Sequence, residues 1–283
     1  MSSPAERYAA SRRRAVESRS ELGVFRSGLE IELDPFQAES CAALEGGRGV
    51  LVAAPTGAGK TVVGEFAVHL ALAQGRKAFY TTPIKALSNQ KYADLVRSHG
   101  ADQVGLLTGD TTVNGEAPVV VMTTEVLRNM LYAGSSTLDG LGYVVMDEVH
   151  YLADRFRGPV WEEVIIHLPD DVQLVSLSAT VSNAEEFGDW LTMVRGDTAV
   201  VVSEVRPVPL WQHVMTRDDL FDLYAGHVDP TAPGTDPPIN PELAEALRRA
   251  DRSGGPPPSR GGDRGRGGRG SRGDRGQRGG GGR

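Results

Sequence analysis

The chain has 283 residues, which leaves room for one large domain or two small ones. Its formal net charge of −7 combines two regions of opposite sign, because residues 246–283 carry 11 Arg against 3 Asp and the remainder therefore carries −15. An acidic body argues against a simple basic nucleic-acid-binding module, so nucleic-acid contacts on it would come from local donors and backbone amides.

The first predicted elements are an N-terminal arm, residues 1–29, and a helix that starts at Asp34 and Pro35, which suit an N-cap and a first helical turn. The arginines at 12–14 are not followed by the apolar segment of a signal peptide. No later stretch has the roughly 18 apolar residues of a membrane span. We therefore expect a cytosolic protein without a membrane partner.

Cys41 lies in this predicted helix and is the single cysteine of the chain. One cysteine excludes an internal disulfide framework and any cysteine-rich zinc site. Because its neighbours along the helix are mostly small or apolar, we predict a buried thiol rather than a reactive one.

The sequence around which the chain is organised is the apolar run, glycine-containing turn and helical pattern of residues 50–61. Gly57 and Gly59 allow backbone N–H groups to close around phosphate oxygens, and the following helix presents its positive end. Lys60 would reach the β- and γ-phosphates of a nucleotide, and the Thr61 hydroxyl would hold Mg²⁺. The predicted nucleotide-binding residues of the loop are Ala54, Pro55, Thr56, Gly57, Ala58, Gly59, Lys60 and Thr61.

This loop departs from the pattern G-x-x-x-x-G-K-[ST] at its first position, where Ala54 replaces glycine. The alternative to a nucleotide site is a glycine-rich turn that binds no ligand. The strand before the loop, the helix after it and an acidic motif downstream favour the nucleotide site.

Strand, polar turn and helix then alternate along the chain, with predicted strands at 77–83, 104–110 and 119–125. This alternation predicts an α/β fold, a parallel sheet of about seven strands with helices on both faces. Ligands of such sheets collect at the carboxyl ends of the strands. At one such end, Pro83 and Lys85 at a helix start would clamp a nucleic-acid phosphate.

A second decisive motif is the apolar strand at 143–146 that ends in Asp147 and Glu148. Adjacent carboxylates after a buried strand are costly unless a cation or polar ligand is present. Asp147 would hold Mg²⁺, and Glu148 would orient and deprotonate the water that attacks the γ-phosphate. The alternative is an ordinary strand end that reaches solvent.

The last elements are a strand at 173–180 that ends in the hydroxyls of Ser178 and Thr180, a helix at 184–193, a strand at 199–202 and a short strand that ends near Met215. The two hydroxyls would form hydrogen bonds with the acidic motif and relay its state to the nucleic-acid side of the domain. Residues 216–253 are predicted to form a linker. Residues 254–283 contain 14 Gly and 8 Arg without any large apolar residue, which predicts a disordered tail.

Taken in order, these motifs resemble the first RecA-like lobe of a DExH-box helicase of superfamily 2, over roughly residues 30–215. They are Phe36-Gln37 and residues 54–61, 82–85, 108–110, 123–125, 147–150 and 178–180. Leu-Asp-Pro-Phe-Gln, Pro-Ile-Lys-Ala-Leu-Ser-Asn-Gln-Lys-Tyr and Asp-Glu-Val-His are most similar to the superkiller/Mtr branch and, among bacterial members, to HelY-type helicases.

The resemblance implies roles for several residues. Gln37 would read the adenine edge of ATP, the alternative being an exposed helical glutamine. The residues expected to contact the nucleic-acid backbone are Pro83, Lys85, Thr108, Gly109, Thr123 and Thr124. The residues expected to couple the nucleotide site to the nucleic-acid site are His150, Ser178 and Thr180.

The resemblance also implies an ATP- and Mg²⁺-dependent enzyme that unwinds RNA in the 3′-to-5′ direction, although related branches act on DNA. Such helicases close two RecA-like lobes around ATP, and no second alternating set of elements follows residue 215. We expect the first half of a longer helicase that needs a second lobe in cis or in trans, and little hydrolysis or unwinding without it. The alternative is a non-catalytic RNA-binding protein that uses the Arg/Gly tail.

The tail generates the first prediction. Arginines spaced by glycines neutralise phosphates without a surface for base readout, so their contribution to RNA binding should fall steeply with salt. Deleting residues 254–283 should weaken RNA binding at low salt and change it little at moderate salt, as measured by fluorescence anisotropy. An unchanged low-salt affinity would leave the tail as a flexible linker.

Overall fold

The computed structural model describes residues 20–179, 182–208, 210–216, 219–226 and 237–253, with side chains up to residue 249 in the last range. These residues divide into two compact units, one up to Val208 and one beyond it. Three sequence predictions lie outside the described residues: most of the N-terminal arm, the coupling residue Thr180 and the tail at 254–283.

The first unit contains one eight-stranded sheet in the order β4-β3-β5-β2-β6-β7-β1-β8. Its strands are β1 (Gly49–Ala53), β2 (Lys77–Thr82), β3 (Val104–Thr108), β4 (Thr111–Val113), β5 (Val119–Thr123), β6 (Leu141–Met146), β7 (Gln173–Ser178) and β8 (Thr198–Val202). All neighbours pair in parallel except β3 and β4, which are antiparallel. The predicted α/β class is confirmed, and the eighth strand is the three-residue β4 at the edge.

Helices cover both faces of this sheet, as predicted. They are α1 (Glu21–Ser27), α2 (Pro35–Glu45), α3 (Thr61–Ala73), α4 (Lys85–His99), α5 (Thr124–Ala133), α6 (Gly158–His167) and α7 (Ala184–Arg195), with 3₁₀ turns at Ser136–Leu138 and Val149–Ala153. The first four helices pack with Val50 and Val52 in one apolar core. The other three pack with Leu51, which points to the opposite face because successive strand side chains alternate.

Since seven of the eight strands are parallel, their carboxyl ends lie along one edge of the sheet, and each helix that follows begins there. The strand order divides this edge into two groups. β1, β7 and β6 are neighbours and carry the phosphate-binding loop and the acidic motif. β2, β5 and β3 are also neighbours and carry the predicted nucleic-acid contacts, so the two groups meet where β2 pairs with β6.

The second unit contains β9 (His213–Met215), β10 (Leu220–Asp222) and α8 (Pro241–Ser253). β9 and β10 form an antiparallel pair, and Asn240 Nδ2 donates to the Asp222 carbonyl at 3.0 Å just before α8. The predicted domain end at residue 215 and the linker at 216–253 stay predictions. In the part of the chain that the structure describes, no helix is long and apolar enough to cross a membrane.

Cys41 is fully buried in the core between α2 and its neighbours and forms no disulfide, in agreement with the predicted buried thiol. Burial raises the pKa of this thiol to about 12. Because the thiolate is the reactive form, native Cys41 should be nearly inert toward alkylating reagents at about pH 8.

We expect iodoacetamide to modify Cys41 roughly a thousandfold more slowly in the native chain than in denaturant, given an unperturbed thiol pKa near 8.5. Mass spectrometry over time measures both rates, and C41S supplies the blank. Rapid modification in native buffer, with the thermal unfolding transition unchanged, would contradict the buried thiol.

Candidate active site

The loop after β1 has the backbone conformation that its glycines allow. Gly57 and Gly59 have φ values of +87° and +84°, in the left-handed region that side chains rarely adopt. A Cβ at Gly59 would lie 2.6 Å from Gln37 Nε2, so this glycine also permits the close approach of α2. Ala54 has no positive φ and is fully buried, which explains why alanine is accommodated at the first position of the loop.

Lys60 lies in the loop with its side chain turned inward and only 8% of the residue exposed. Its Nζ donates to the carbonyl oxygens of Ala54 at 2.7 Å and Pro55 at 3.1 Å, which leaves a third ammonium donor for a ligand. Burial lowers the pKa of Lys60, whereas the nearby carboxylates of Glu148 and Asp147 act in the opposite direction. The loop and the acidic motif therefore belong to one electrostatic site.

Gln37 joins α2 to the same loop. The residue is buried, its Oε1 accepts from the Asp34 amide at 2.9 Å, and its Nε2 donates to the Gly59 carbonyl at 3.0 Å. The alternative of an exposed helical glutamine is therefore wrong. Adenine recognition by Gln37 stays a prediction, and the contact seen here is one that holds the loop.

Asp147 and Glu148 follow β6 and are both half-buried. Tyr80 Oη donates to Asp147 Oδ2 at 3.1 Å, and the Glu148 amide donates to Asp147 Oδ1 at 3.0 Å. Burial and the Asp147 charge hold the pKa of Tyr80 well above its usual value, so the phenol remains a donor. Glu148 has φ +53°, a conformation that costs a non-glycine residue about 1–3 kcal/mol and is concentrated at functional sites.

His150 lies one turn beyond the acidic pair. Its Nδ1 is 3.2 Å from Glu148 Oε2, yet both atoms are buried without a hydrogen bond of acceptable geometry. Buried polar atoms without partners are uncommon in folded proteins and costly. Ser178 ends β7 beside the loop, and its carbonyl accepts from the Ala54 amide at 3.1 Å.

The donor set suits Mg²⁺ bound jointly with phosphate. Among the described residues, no group of three or more His, Cys, Asp or Glu side chains could hold a metal ion. Mg²⁺ commonly takes one or two carboxylates together with substrate phosphates and waters instead of a protein cage. Asp147 is such a carboxylate, the Thr61 hydroxyl at the start of α3 is a further oxygen donor, and Gly57 leaves open space beside the loop for phosphate.

The predicted nucleic-acid residues lie at the ends of β2, β3 and β5. Lys85 Nζ pairs with Asp110 at 2.6 Å, and Thr108 Oγ1 donates to the same carboxylate at 3.1 Å. Thr123 precedes α5 and is half-buried. Gly109 is exposed with open space around its Cα.

Thr124 differs from these residues because it is fully buried, with its hydroxyl 3.4 Å from the Thr82 carbonyl. Its side chain therefore supports the ends of β2 and β5. Any contact of Thr124 with nucleic acid would have to use the backbone at the start of α5.

The sequence did not reveal two residues of this site. In the sequence, Tyr80 is indistinguishable from the other apolar residues of its strand. In the structure, its hydroxyl contacts the acidic motif across the β2–β6 pair. Arg157, in the loop after the acidic motif, donates to the Pro83 carbonyl and to Glu125 Oε1 at 2.9 Å. Lone arginines in loops have no diagnostic pattern, so nothing local could have identified this one.

A sequence model described as DEAD/DEAH box helicase matches residues 34–187. The protein named Probable helicase HelY from Mycobacterium leprae is 66% identical over 238 residues, which cover 82% of this chain and 25% of that protein. The protein named ATP-dependent RNA helicase mtr4 from Schizosaccharomyces pombe is 52% identical over 184 residues, 65% of this chain and 16% of that protein. The chain thus spans a quarter or less of these relatives' lengths.

Among solved structures, the chain is similar to the helicase Lhr of Mycobacterium smegmatis bound to ssDNA and AMP-PNP. The two share 28% identity with a TM-score of 0.54, over 68% of this chain and 28% of the other. A DUF1998 helicase, MrfA, bound to DNA matches over the same share of this chain at 22% identity and a TM-score of 0.53, which shows the fold alone.

The Tyr80 contact generates a prediction for the metal site. Removing the hydroxyl in Y80F takes a donor from Asp147, and a hydrogen bond to a charged group is worth about 1.5–3 kcal/mol. With a second RecA-like lobe supplied, we expect Y80F to require roughly tenfold more Mg²⁺ for half-maximal ATP hydrolysis, as measured by phosphate release across a Mg²⁺ titration. Y143F is the matched control, because the buried Tyr143 hydroxyl bonds Gln74 instead, at 3.1 Å. Equal Mg²⁺ dependence of Y80F and the parent would contradict this role.

Proposed function

This chain belongs to the DEAD/DEAH box helicase family, and we propose that it is the ATP-binding lobe of a DExH-box helicase that couples ATP hydrolysis to 3′-to-5′ unwinding of RNA. The observation that carries the proposal is the convergence of Lys60, which follows β1, with Asp147 and Glu148, which follow β6, at strand ends separated by β7. Both carboxylates lie close enough to Lys60 to raise the pKa of its ammonium against the effect of burial, although Lys60 and the acidic motif follow different strands.

The chain's own residues suit hydrolysis of the terminal phosphate. Backbone amides around Gly57 and Gly59 would hold phosphate oxygens, and Lys60 would exchange loop carbonyls for phosphate contacts. The Glu148 carboxylate would accept the proton of the attacking water, and His150 beside Glu148 Oε2 would orient that carboxylate. A Mg²⁺ ion held through Thr61 and Asp147 would neutralise charge on the phosphates.

Contacts across the β2–β6 pair support coupling between the two groups of strand ends. The Asp147 amide donates to the Thr81 carbonyl at 3.0 Å, immediately before the Thr82-Pro83 corner. A shift of the acidic motif during hydrolysis would therefore act directly on the residues proposed to hold the nucleic-acid backbone. Ser178 lies at the end of β7, and its carbonyl accepts a hydrogen bond from the Ala54 amide of the loop. The same shift would therefore also move Ser178.

The proposed partner is RNA, because the mtr4 relative is named an RNA helicase, with DNA as the alternative. The backbone contacts at Pro83, Lys85, Thr108, Gly109 and Thr123 do not distinguish the two. A second RecA-like lobe, in cis or in trans, is a further proposed partner. An arginine finger of the kind such a lobe supplies is worth about 10³ to 10⁵ in rate.

The function is tested by separating ATP binding from turnover. K60A removes a group that contacts phosphate before reaction, whereas E148Q removes the base that acts on water. With a second RecA-like lobe supplied, we expect K60A to weaken binding of a fluorescent ATP analogue at least tenfold, and E148Q to retain binding while phosphate release falls by about 10² or more.

E185Q, which removes an exposed carboxylate on α7, is the control and should match the parent in both assays. Turnover by E148Q at the parent rate would show that Glu148 is not the base. Nucleotide binding without any turnover in the parent, even with RNA and a second lobe supplied, would instead favour the non-catalytic RNA-binding alternative.

A further inference from the structure

The loop between the acidic motif and α6 exposes a whole aromatic ring. We name residues 154–158, Asp-Arg-Phe-Arg-Gly, the Arg-Phe-Arg loop. Phe156 is 88% exposed, the highest value among the large apolar side chains in the part of the chain that the structure describes. A single exposed apolar residue is ordinary on a protein surface, so its meaning depends on how it is held and what lies beside it.

The Arg-Phe-Arg loop is held by its own hydrogen bonds. Asp154 Oδ1 accepts the amides of Phe156 and Arg157, both at 2.8 Å, and the Gly158 amide donates to the Asp154 carbonyl at 2.8 Å. A Cβ at Gly158 would lie 2.2 Å from the Leu152 carbonyl oxygen, so glycine permits this tight turn. The ring of Phe156 is therefore presented to solvent from a defined backbone, at little cost in conformational entropy on binding.

Arg157 joins the Arg-Phe-Arg loop to the strand ends proposed to contact nucleic acid. Its guanidinium donates to the Pro83 carbonyl after β2 and to Glu125 in the first turn of α5, which follows β5. The same guanidinium lies over the rings of Tyr151 and Trp161, 5.7 Å from each ring centre. Arg157 thus anchors the Arg-Phe-Arg loop, which also carries Phe156 and Arg155, to the Pro83 corner.

Charge distinguishes Arg155 from the other cations of this edge. Lys85 pairs with Asp110, and Arg157 pairs with Glu125. Arg155 is exposed and makes no ion pair with any residue that the structure describes. In a body whose net charge is strongly negative, an unpaired arginine beside an exposed ring complements a phosphate next to an unstacked base.

We propose that Phe156 stacks on a base of single-stranded nucleic acid and that Arg155 pairs with an adjacent phosphate, while the strand continues along the ends of β2, β5 and β3. This proposal deepens the proposed function and rests on it. It adds a base-contacting group to an edge whose other predicted contacts are to the backbone. Stacking tolerates any base, so the loop favours single strands over duplex without selecting a sequence.

The first test measures the affinity of the 283-residue chain for a labelled oligouridine by anisotropy, at moderate salt where binding by charge alone is weakest. F156A should bind about 5- to 10-fold more weakly, and F156W should bind at least as tightly as the parent, since stacking on aromatic side chains is worth about 1–3 kcal/mol per base. In the same assay across a series of salt concentrations, R155Q should reduce the slope of log affinity against log salt by about 0.7, the value for one phosphate contact on a single strand.

M193A is the matched control. Met193 is 84% exposed in the last turn of α7, which leads to the start of β8 and so lies toward the opposite edge of the sheet. Its removal should leave the affinity unchanged. Coincident thermal transitions of the parent, F156A and F156W will show that each variant is folded.

The second test observes stacking directly. The indole introduced by F156W should be quenched when oligouridine binds, and the indole introduced by M193W should not. An abasic strand of the same length should quench neither and should bind the parent and F156A equally, because no base is available for Phe156.

The outcomes separate this proposal from the function on which it rests. If the parent binds the strand and F156A binds it with the same affinity, the stacking proposal alone is overturned. The exposed ring would then be a contact for a protein partner. Equal loss of affinity by F156A on intact and abasic strands also overturns it. Failure of the parent to bind any strand overturns both proposals, and the ATP-binding assay then shows whether the nucleotide site survives.

Discussion

The parallel pairing of β2 with β6 is the constraint on which the rest of this structure depends. Its register places Thr81 opposite Met146, so the Asp147 amide bonds the Thr81 carbonyl at 3.0 Å. This hydrogen bond joins the first residue of the acidic motif, just after β6, to β2 one residue before its end at Thr82, which leads to the Pro83 corner. Because neighbouring parallel strands end together, the phosphate-binding loop and the proposed nucleic-acid edge share one side of the sheet.

Unfavourable local features are concentrated along this edge. Glu148 has a left-handed backbone, Lys60 has a buried ammonium, and a carboxylate oxygen and an imidazole nitrogen face each other without a hydrogen bond. Each would be destabilising in isolation. The two apolar cores that sandwich the sheet supply the stability that tolerates them, and their largest members, such as Trp161 and Phe66, are fully buried. Strain at the site and order in the cores are consistent with a preorganised catalytic edge.

The sequence by itself determined the local units of this protein. The phosphate-binding loop could be predicted because glycines at 57 and 59 and a lysine at 60 are required within a few residues of one another. The alternation of apolar strands and amphipathic helices predicted the parallel sheet, since period and turn signals are also local. The acidic motif could be identified for the same reason, as two carboxylates after an apolar strand are adjacent in the chain.

Only the tertiary structure decided which of these units meet. Gln37 contacts Gly59 across 22 positions, Tyr80 contacts Asp147 across 67, and Arg157 contacts Pro83 across 74. The order of the strands in the sheet determines which of these distant residues meet. No local sequence pattern encodes that order, because each strand could pair with several others at a similar free energy. β4 was not predicted, because its three residues are too few to show the two-residue alternation of a strand. The roles of Tyr80 and Arg157 therefore follow from packing between distant segments, whereas the loop and the acidic pair follow from residues that are neighbours in sequence.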